Sequence, residues 1–229
     1  MRMEVDKRLH DKIILAWELE NMNSRFKKQK YIVGVDEVGR GSIAGPVAVG
    51  ALVFYTEKAE RYFYGIRDSK KLKPKEREEW YHKICKAREE GFLEFSVSFS
   101  AHSQIDKNGI MSAINQALER SLKKLFLEPK KVSVLLDGGL SAPAIYLHQK
   151  TIIKGDEKKR IIAAASIVAK VLRDKKMVQF SKAYPLYGFE RHKGYGTELH
   201  LDAIRNHGIS GIHRQSFLRK IEFLRKSRQ

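Results

Sequence analysis

Cysteine is almost absent from this sequence. Cys85 is the single cysteine among 229 residues, so the chain cannot form an internal disulfide, and such usage is typical of a reducing compartment. Cys85 lies in a charged segment with no evident base beside it, which argues against a nucleophilic role. The histidines of the C-terminal third have no cysteine partner at the spacing of a zinc site; they are His192, His200, His207 and His213.

Long apolar runs are absent as well. The longest early run, Ile13–Trp17, has five residues, far short of the core of a signal peptide or of a membrane span. We therefore expect a soluble, cytoplasmic protein that has no membrane segment. The sequence also lacks internal repeats and the Gly-x4-Gly-Lys-Ser/Thr motif that cradles nucleotide phosphates.

Positive charge is in large excess. The chain has 45 Lys and Arg against 27 Asp and Glu, which gives a net charge of +18. This excess predicts a polyanionic partner, either nucleic acid or an anionic membrane surface. Hydrophobic residues make up 42% of the chain, enough for the core of one large domain or of one domain with a small appendage.

Strand-like and helix-like segments alternate along the chain. Runs rich in β-branched residues predict strands near residues 31–35, 46–55, 92–99, 132–136 and 145–153. Apolar residues at helical spacing predict helices near residues 1–29, 75–88, 109–127, 157–182, 197–206 and 213–227. Strands come first and then alternate with helices, which predicts an α/β domain with a mixed sheet.

Four carboxylates lie where predicted elements end. Asp36 and Glu37 end the first strand, Asp137 ends the strand before a pair of glycines, and Asp156 comes just before the long helix. The ends of strands in open α/β sheets are places where binding sites collect. The sequence therefore offers these four residues as candidates for one site.

Each of these carboxylates also has an ordinary alternative role. Asp156 can cap the helix that follows it, Asp137 can be a turn residue, and the Asp-Glu pair can be solvated. The positive charge of the chain favours a site, because a polyanion-binding protein that gathers carboxylates needs cations to offset phosphate repulsion. Hard oxygen ligands suit Mg²⁺ or Mn²⁺. The spacing alone leaves open whether the four side chains converge.

Six sequence blocks resemble the motifs of bacterial and archaeal ribonuclease HII. The first is DEVGRGSIAGPV, residues 36–47. The others follow in the family's order between residues 31 and 217: DSKKL (68–72), LLDGG (135–139), KGD (154–156) followed by IIAAASIVAKVLRD (161–174), YGFERHKGYGT (187–197) and IHRQSF (212–217). Six blocks in this order make the resemblance highly specific.

The resemblance implies a ribonuclease H-like fold, with a mixed central sheet flanked by helices and a C-terminal helical segment. It implies an endoribonuclease that hydrolyses the RNA strand of RNA–DNA hybrids and cuts 5′ to ribonucleotides embedded in duplex DNA. Two divalent ions, Mg²⁺ or Mn²⁺, would act in a reaction that leaves 5′-phosphate and 3′-hydroxyl ends. The family's catalytic, metal-binding carboxylates fall on Asp36, Glu37, Asp137 and Asp156.

The resemblance also assigns residues that contact the substrate. The Gly-Arg-Gly that contacts the ribonucleotide falls on Gly39, Arg40 and Gly41, and glycines there would let the backbone approach a 2′-hydroxyl closely. The tyrosine that packs against the sugar at the RNA–DNA junction falls on Tyr195, which taken alone would be read as a packed loop residue. Asp174 also lies in a family block, and we expect a structural role for it because it falls inside a helix.

Several basic or polar residues are candidate phosphate contacts, although a solvated surface position is the more ordinary role of any one of them. They are Ser69, Lys70, Lys71, Lys170 and Arg173. By domain, we expect an N-terminal helical extension over residues 1–30, a ribonuclease H-like catalytic domain over residues 31–182, and a basic C-terminal helical segment over residues 183–229.

Two other classes of function stay open on composition. A non-catalytic basic nucleic-acid-binding module would explain the charge but not the acids at element ends. A membrane-surface protein would use a basic amphipathic helix such as residues 213–227, for which docking on the domain is the more ordinary use. We expect a monomer whose partners are RNA–DNA hybrids and duplex DNA containing ribonucleotides, without a membrane partner.

Overall fold

The computed structural model describes residues 30–66 and 69–219, with the side chains of residues 57 and 58 left aside. The helix predicted at residues 1–29 lies outside the described residues. So do Asp68 of the DSKKL block and residues 220–229 of the predicted C-terminal helix. Within the described part, helices cover both faces of one mixed sheet, so the expected α/β class is confirmed.

The sheet has five strands in the order β3-β2-β1-β4-β5. In chain order they are β1 Tyr31–Val38, β2 Val47–Phe54, β3 Leu93–Ser100, β4 Val132–Asp137 and β5 His148–Ile152. Strand β2 is antiparallel to β1 and β3, whereas β4 is parallel to β1 and β5. The β1–β4 register pairs Val35 with Leu136, so Asp36 and Asp137, one residue further along each strand, lie side by side where the pairing of these two strands ends.

The helices are α1 Glu57–Tyr62, α2 Pro74–Glu89, α3 His102–Asn108, α4 Ile110–Lys123, α5 Gly155–Lys158, α6 Arg160–Ala183, α7 Phe189–His192, α8 Glu198–His207 and α9 Gln215–Leu218. Pro74 opens α2 at the first helical position, where its missing N–H has no helical partner to lose. Among the described residues, no helix combines the length and the apolar character that a bilayer span requires.

The long helix α6 lies directly on the sheet. A Cβ atom built on Gly34 would stand 2.5 Å from the carbonyl oxygen of Ile161, and one built on Gly50 would stand 2.6 Å from that of Ala165. Only glycine therefore allows this approach of helix to strand. Buried side chains of α2 and α6 fill this face, and those of α4 fill the other face. The two apolar layers fix the sheet edge that carries Asp36 and Asp137.

The main differences between predicted and observed helices concern residues 157–182 and 213–227, and one observed helix, α3, has no predicted counterpart. The long helix begins at Arg160 rather than 157, because Lys159 is extended with φ −130° and ends the short helix α5. Asp156 lies inside α5, so its interpretation as the cap of the long helix is wrong. Gly109, at φ +80°, separates the unpredicted α3 from α4. In the described part of residues 213–227, the helix is limited to Gln215–Leu218.

Candidate active site

Three of the four predicted carboxylates converge at the edge of the sheet. Ligand oxygens of Asp36, Asp137 and Asp156 all lie within 4.8 Å of one another. Asp36 and Asp156 are buried and Asp137 is half-buried. The parallel pairing of β1 with β4 supplies the first two, and α5 supplies the third.

A hydrogen bond within the site holds Asp156 in place. The backbone N–H of Gly155 donates to Oδ1 of Asp137 over 2.6 Å. This bond ties the start of α5 to the end of β4, and so brings the following residue, Asp156, to the same edge. This bond joins the Asp-Gly-Gly and Lys-Gly-Asp motifs, although Asp137 and Gly155 lie 18 positions apart in the chain.

Glu37 lies next to this group but is not one of the three clustered carboxylates. Its Oε1 is 3.6 Å from Nη1 of Arg40, and its side chain is 15% exposed. Burial raises the pKa of Glu37, the charge of Arg40 acts in the opposite direction, and the charge of Asp137 adds to the rise. Glu37 thus shares the electrostatic field of the cluster while it pairs with the Gly-Arg-Gly loop.

Asp36 is poorly stabilised as an anion by the protein alone. Burial raises the pKa of Asp36 well above its ordinary value; a hydrogen bond with Ser166 opposes this rise, and the charges of Glu37 and Asp137 add to it. A bound cation would favour the ionised forms. The donor set, oxygen atoms of close carboxylates, is the kind that hard divalent cations prefer.

The segment 69–72 lies over the cluster and is held by two contacts from the domain. The hydroxyls of Ser69 and Ser166 are 2.8 Å apart, and the guanidinium of Arg77 donates to the carbonyls of Ser69 and Leu72. Nζ of Lys70 then stands 3.4 Å from Oδ2 of Asp156. Ser69 is buried, so the structure places it in the support of the segment rather than at the surface.

Other candidate phosphate contacts take part in ion pairs at the surface of the site. Nζ of Lys71 is 2.8 Å from Glu157, and Nζ of Lys170 is 2.9 Å from Asp174. The Asp174 carboxylate accepts this bond from Lys170 in the preceding turn of α6, in keeping with the structural role expected from its place in the helix. The Lys71 pair is open to solvent and can yield to a stronger anionic ligand, whereas the side chains of Lys170 and Asp174 are largely shielded from solvent.

Arg173 occupies neither of the two positions that the sequence suggests for it, a phosphate contact or a solvated surface site. Its side chain is fully buried, and it donates to the carbonyls of Pro46 and Lys193 and to the hydroxyl of Ser42. Arg173 therefore links the loop after β1 to the loop that carries Tyr195. A helical pattern contained the signal, since Arg173 falls four residues after Ala169 on the buried side of α6.

A second buried arginine holds the same loop from the C-terminal side. Arg214 donates to the carbonyls of Gly45 and Arg40 over 2.9 and 3.0 Å. Burial, and then the charge of Arg173, lowers the pKa of Arg214 to about 9, which still leaves it charged at neutral pH. Sequence patterns do not indicate a buried role for Arg214, because its partners Gly45 and Arg40 are distant in the chain.

The two predicted substrate loops touch each other. The backbone N–H groups of Ile43 and Ala44 donate to the carbonyl of Gly194 over 2.8 and 3.2 Å. Next to Gly194, the half-buried ring of Tyr195 lies 5.5 Å from Cζ of Arg173. The Gly-Arg-Gly turn and the tyrosine thus form one connected surface.

The backbone of the Gly-Arg-Gly turn is accessible to a ligand at Gly41. Gly39 has φ +86°, a conformation that favours glycine, and no atom outside its chain neighbours lies within 4 Å of a Cβ built on Gly41. The side chain of Arg40 is 51% exposed. The turn therefore leaves open space at Gly41 and presents an exposed cation at Arg40 to a ligand.

Comparison with known proteins identifies the family. A model of the family Ribonuclease HII matches residues 33–220. The Ribonuclease HII of Fusobacterium nucleatum subsp. nucleatum is 45% identical over 197 residues, covering 84% of this chain and 87% of that protein.

Solved structures agree in fold. The ribonuclease H2 from Pyrococcus horikoshii OT3 has a TM-score of 0.67 and 25% identity, covering 86% of this chain and 99% of that one. Bst-RNase HIII, solved in complex with Mn²⁺, has a TM-score of 0.58 and 20% identity, covering 82% of this chain and 65% of that one. That second likeness concerns the fold alone. The family match and the sequence identity together establish that this chain belongs to the ribonuclease HII family of metal-dependent ribonucleases.

Proposed function

We propose that this chain is an endoribonuclease that hydrolyses the RNA strand of RNA–DNA hybrids and cuts 5′ to ribonucleotides embedded in duplex DNA, leaving 5′-phosphate and 3′-hydroxyl ends. The observation that carries the proposal is the convergence of Asp36, Asp137 and Asp156 next to two connected loops. Membership of the ribonuclease HII family supports the class of reaction.

Asp36, Glu37, Asp137 and Asp156 would hold the divalent cations, Mg²⁺ or Mn²⁺. The fit rests on the donor set, because carboxylate oxygens within 4.8 Å of one another can share hard cations. The Mn²⁺ bound by Bst-RNase HIII, a protein of the same fold, agrees with this choice. Divalent ions bound there would supply Lewis-acid stabilisation of phosphate oxygens and an activated water.

The residues of the chain itself would choose and orient the substrate. Backbone N–H and C=O groups of Gly39, Arg40 and Gly41 would read the 2′-hydroxyl, which both donates and accepts hydrogen bonds. The ring of Tyr195 would pack against the sugar at the junction with DNA. Since the two loops are joined through Gly194, the two contacts would test neighbouring nucleotides at a fixed separation.

Lys70 is placed to meet a phosphate beside the carboxylates. Its side chain is 71% exposed, and its contact with Asp156 is long, so a substrate phosphate can compete for the ammonium group. Ser69 would keep the segment in place through Ser166. The residues named above can form the site within a single chain, and we propose that the enzyme acts as a monomer.

The experiment compares labelled duplexes of one sequence: an RNA–DNA hybrid, an all-RNA duplex and an all-DNA duplex. We expect cleavage of the hybrid alone, in Mg²⁺ or Mn²⁺ and not in EDTA. Asp137→Asn serves as the inactive control, because it keeps the shape of the side chain and removes its charge. Binding of the hybrid without cleavage by the wild-type protein would favour the non-catalytic binding module instead.

A further inference from the structure

Three interior histidines lie behind the loop that carries Tyr195. His200 and His213 are almost fully buried and His192 is 8% exposed. The rings of His192 and His200 are stacked with centroids 4.1 Å apart, and the Nε2 atoms of His200 and His213 are 3.0 Å apart. These residues take no part in the reaction proposed above, and buried imidazoles need partners for both ring nitrogens.

Hydrogen bonds from the backbone fix the proton positions in this cluster. The N–H of Ser210 can only donate, and it lies 2.8 Å from Nδ1 of His213, so that nitrogen is an acceptor. The ring proton of His213 is then on Nε2 and is donated to Nε2 of His200. His200 must carry its own proton on Nδ1, and it donates that proton to the carbonyl of Tyr195 over 2.9 Å.

The same argument assigns the proton position on the His192 ring. The N–H of Gly194 donates to its Nδ1 over 3.2 Å, so its proton is on Nε2, which lies 2.7 Å from the carbonyl of Tyr187. Each of the three rings is therefore neutral and has one tautomer. Burial as the largest cause lowers the pKa of His200 to about 3 and that of His213 to about 4, which agrees with neutral rings.

The chain of bonds ends on the residue proposed to contact the substrate. The Tyr195 carbonyl also accepts a hydrogen bond from the backbone N–H of Thr197 over 2.9 Å. We propose that His200 is a positioning residue for Tyr195: the chain Ser210–His213–His200 supplies the second bond that orients this carbonyl, and with it the place of the ring at the ribonucleotide junction. This inference rests on the proposed function, in which Tyr195 packs against the sugar. Its own content is the direction of the Nδ1–H bond from His200 to Tyr195.

Two amide variants separate this positioning role from simple packing. In His200→Asn the amide nitrogen takes the place of Nδ1 and can still donate to the Tyr195 carbonyl. In His200→Gln the amide takes the place of Nε2, so the contact with His213 is kept and the bond to Tyr195 is lost. Both variants remove the buried ring, and we expect similar decreases in their thermal midpoints.

Turnover on a duplex with one embedded ribonucleotide is the first readout. We expect His200→Asn to stay within about threefold of wild type and His200→Gln to fall by about tenfold or more, because small misplacements of reacting groups are costly. In a Tyr195→Ala background the two variants should have equal rates, since the bond then positions no ring. Equal rates of the two variants with Tyr195 present, or an undiminished difference between them without it, would overturn the proposal.

The tautomers of the wild-type protein provide a test that needs no variant and no activity. Nitrogen chemical shifts of the imidazoles should report Nδ1–H for His200 and Nε2–H for His192 and His213. An Nε2–H tautomer at His200 would refute the bond to Tyr195 even if the variants fail to fold. If the wild-type protein does not cut the duplex, the proposed function fails, while this measurement still decides the hydrogen-bond chain.

Discussion

The guanidinium of Arg173 packs directly against Gly39 and leaves no room there for a side chain. A Cβ atom built on Gly39 would overlap the guanidinium of Arg173. That guanidinium is buried and donates three hydrogen bonds that join the loop after β1 to the loop before Tyr195. The turn proposed to read the ribonucleotide is therefore built around a buried cation.

We predict that Gly39→Ala lowers both turnover and stability more than a glycine substitution in open space does. The substitution adds strain at φ +86° and displaces Arg173, so the two loops lose their common support. Gly91→Ala is the matched control, because Gly91 also has a positive φ, +74°, but its Cβ would enter open space. Strain alone should cost each variant about 1–2 kcal/mol of unfolding free energy.

Rates and unfolding curves of both glycine variants check this prediction. Gly39→Ala should cut a hybrid at least about tenfold more slowly than Gly91→Ala, which should be near wild type. Equal rates for the two variants would mean that the contact between Gly39 and Arg173 does not shape the site.

A second prediction concerns Asp36. Asp36→Asn should decrease the rate of cleavage by at least about a hundredfold. The reason is that the variant loses several kcal/mol of the stabilisation that the cations give to the transition state. In EDTA the same variant should unfold at the same or a higher temperature than wild type, because it removes a buried charge beside Glu37 and Asp137. Added Mn²⁺ should raise the melting temperature of wild type more than that of the variant.

Asp202→Asn controls for the loss of one negative charge on the surface, since Asp202 pairs with Arg205 on an exposed face of α8. We expect this control to keep both its activity and its response to Mn²⁺. A full response of Asp36→Asn to Mn²⁺ would contradict the placement of the cation at Asp36.

Much of this site could be predicted from the sequence because it is encoded locally. Asp36 and Asp137 follow apolar strand runs, and parallel neighbours in an α/β sheet bring such ends together. The order of strand-like and helix-like segments also predicts the mixed sheet. Glu37 shows the limit of this reasoning, since its place beside Arg40 depends on a side-chain choice that strand alternation does not reveal.

Other features of the site depend on contacts between distant segments. Arg173 and Arg214 are buried only because two loops and the C-terminal segment fold over them. The paired histidines likewise come from α8 and from the segment after it. Asp156 was expected to precede the long helix directly, but the extended Lys159 separates α5 from α6. Such partners follow from the tertiary fold and not from spacing in one segment.

Stability should fall in acid because of the neutral histidines. The pKa of His213 is lowered to about 4, first by burial and also by the nearby imidazoles of His192 and His102. Below the ordinary histidine value of about 6.5, the unfolded chain binds a proton that the folded chain refuses. The stabilisation is thus fully present above that pH and is lost as the pH falls towards the folded pKa.

Between about pH 6.5 and pH 5, we therefore expect the unfolding free energy of wild type to decrease more steeply than that of His213→Gln. The two slopes should differ by about 1.4 kcal/mol per pH unit for one proton. The comparison with wild type cancels the opposite contributions of Asp36 and Glu37, whose raised pKa values both proteins share. His148→Gln, at an exposed position on β5, is the control. Urea unfolding over this range is the measurement, and parallel curves for wild type and His213→Gln would contradict the neutral-histidine account.

Duplex binding should be strongly sensitive to salt and indifferent to base sequence. The net charge of +18 predicts phosphate contacts, and each contact releases counterions. The logarithm of affinity should fall linearly with the logarithm of salt concentration, with a slope of about 0.9 per phosphate contacted on B-DNA. Titration of the Asp137→Asn protein with duplexes of unrelated sequences measures this slope without cleavage; a flat response would argue against a phosphate-tracking surface.

The most direct test of the central claim is to map where the wild-type protein cuts a DNA duplex that contains one ribonucleotide. With Mg²⁺ or Mn²⁺, we predict a single cut 5′ to the ribonucleotide, a 5′-phosphate on the fragment that begins with it, and a 3′-hydroxyl on the other fragment. The same duplex without the ribonucleotide should stay intact, as should the test duplex mixed with Asp137→Asn. A cut elsewhere, cleavage of the all-DNA duplex, or no cleavage at all in either metal would contradict the account.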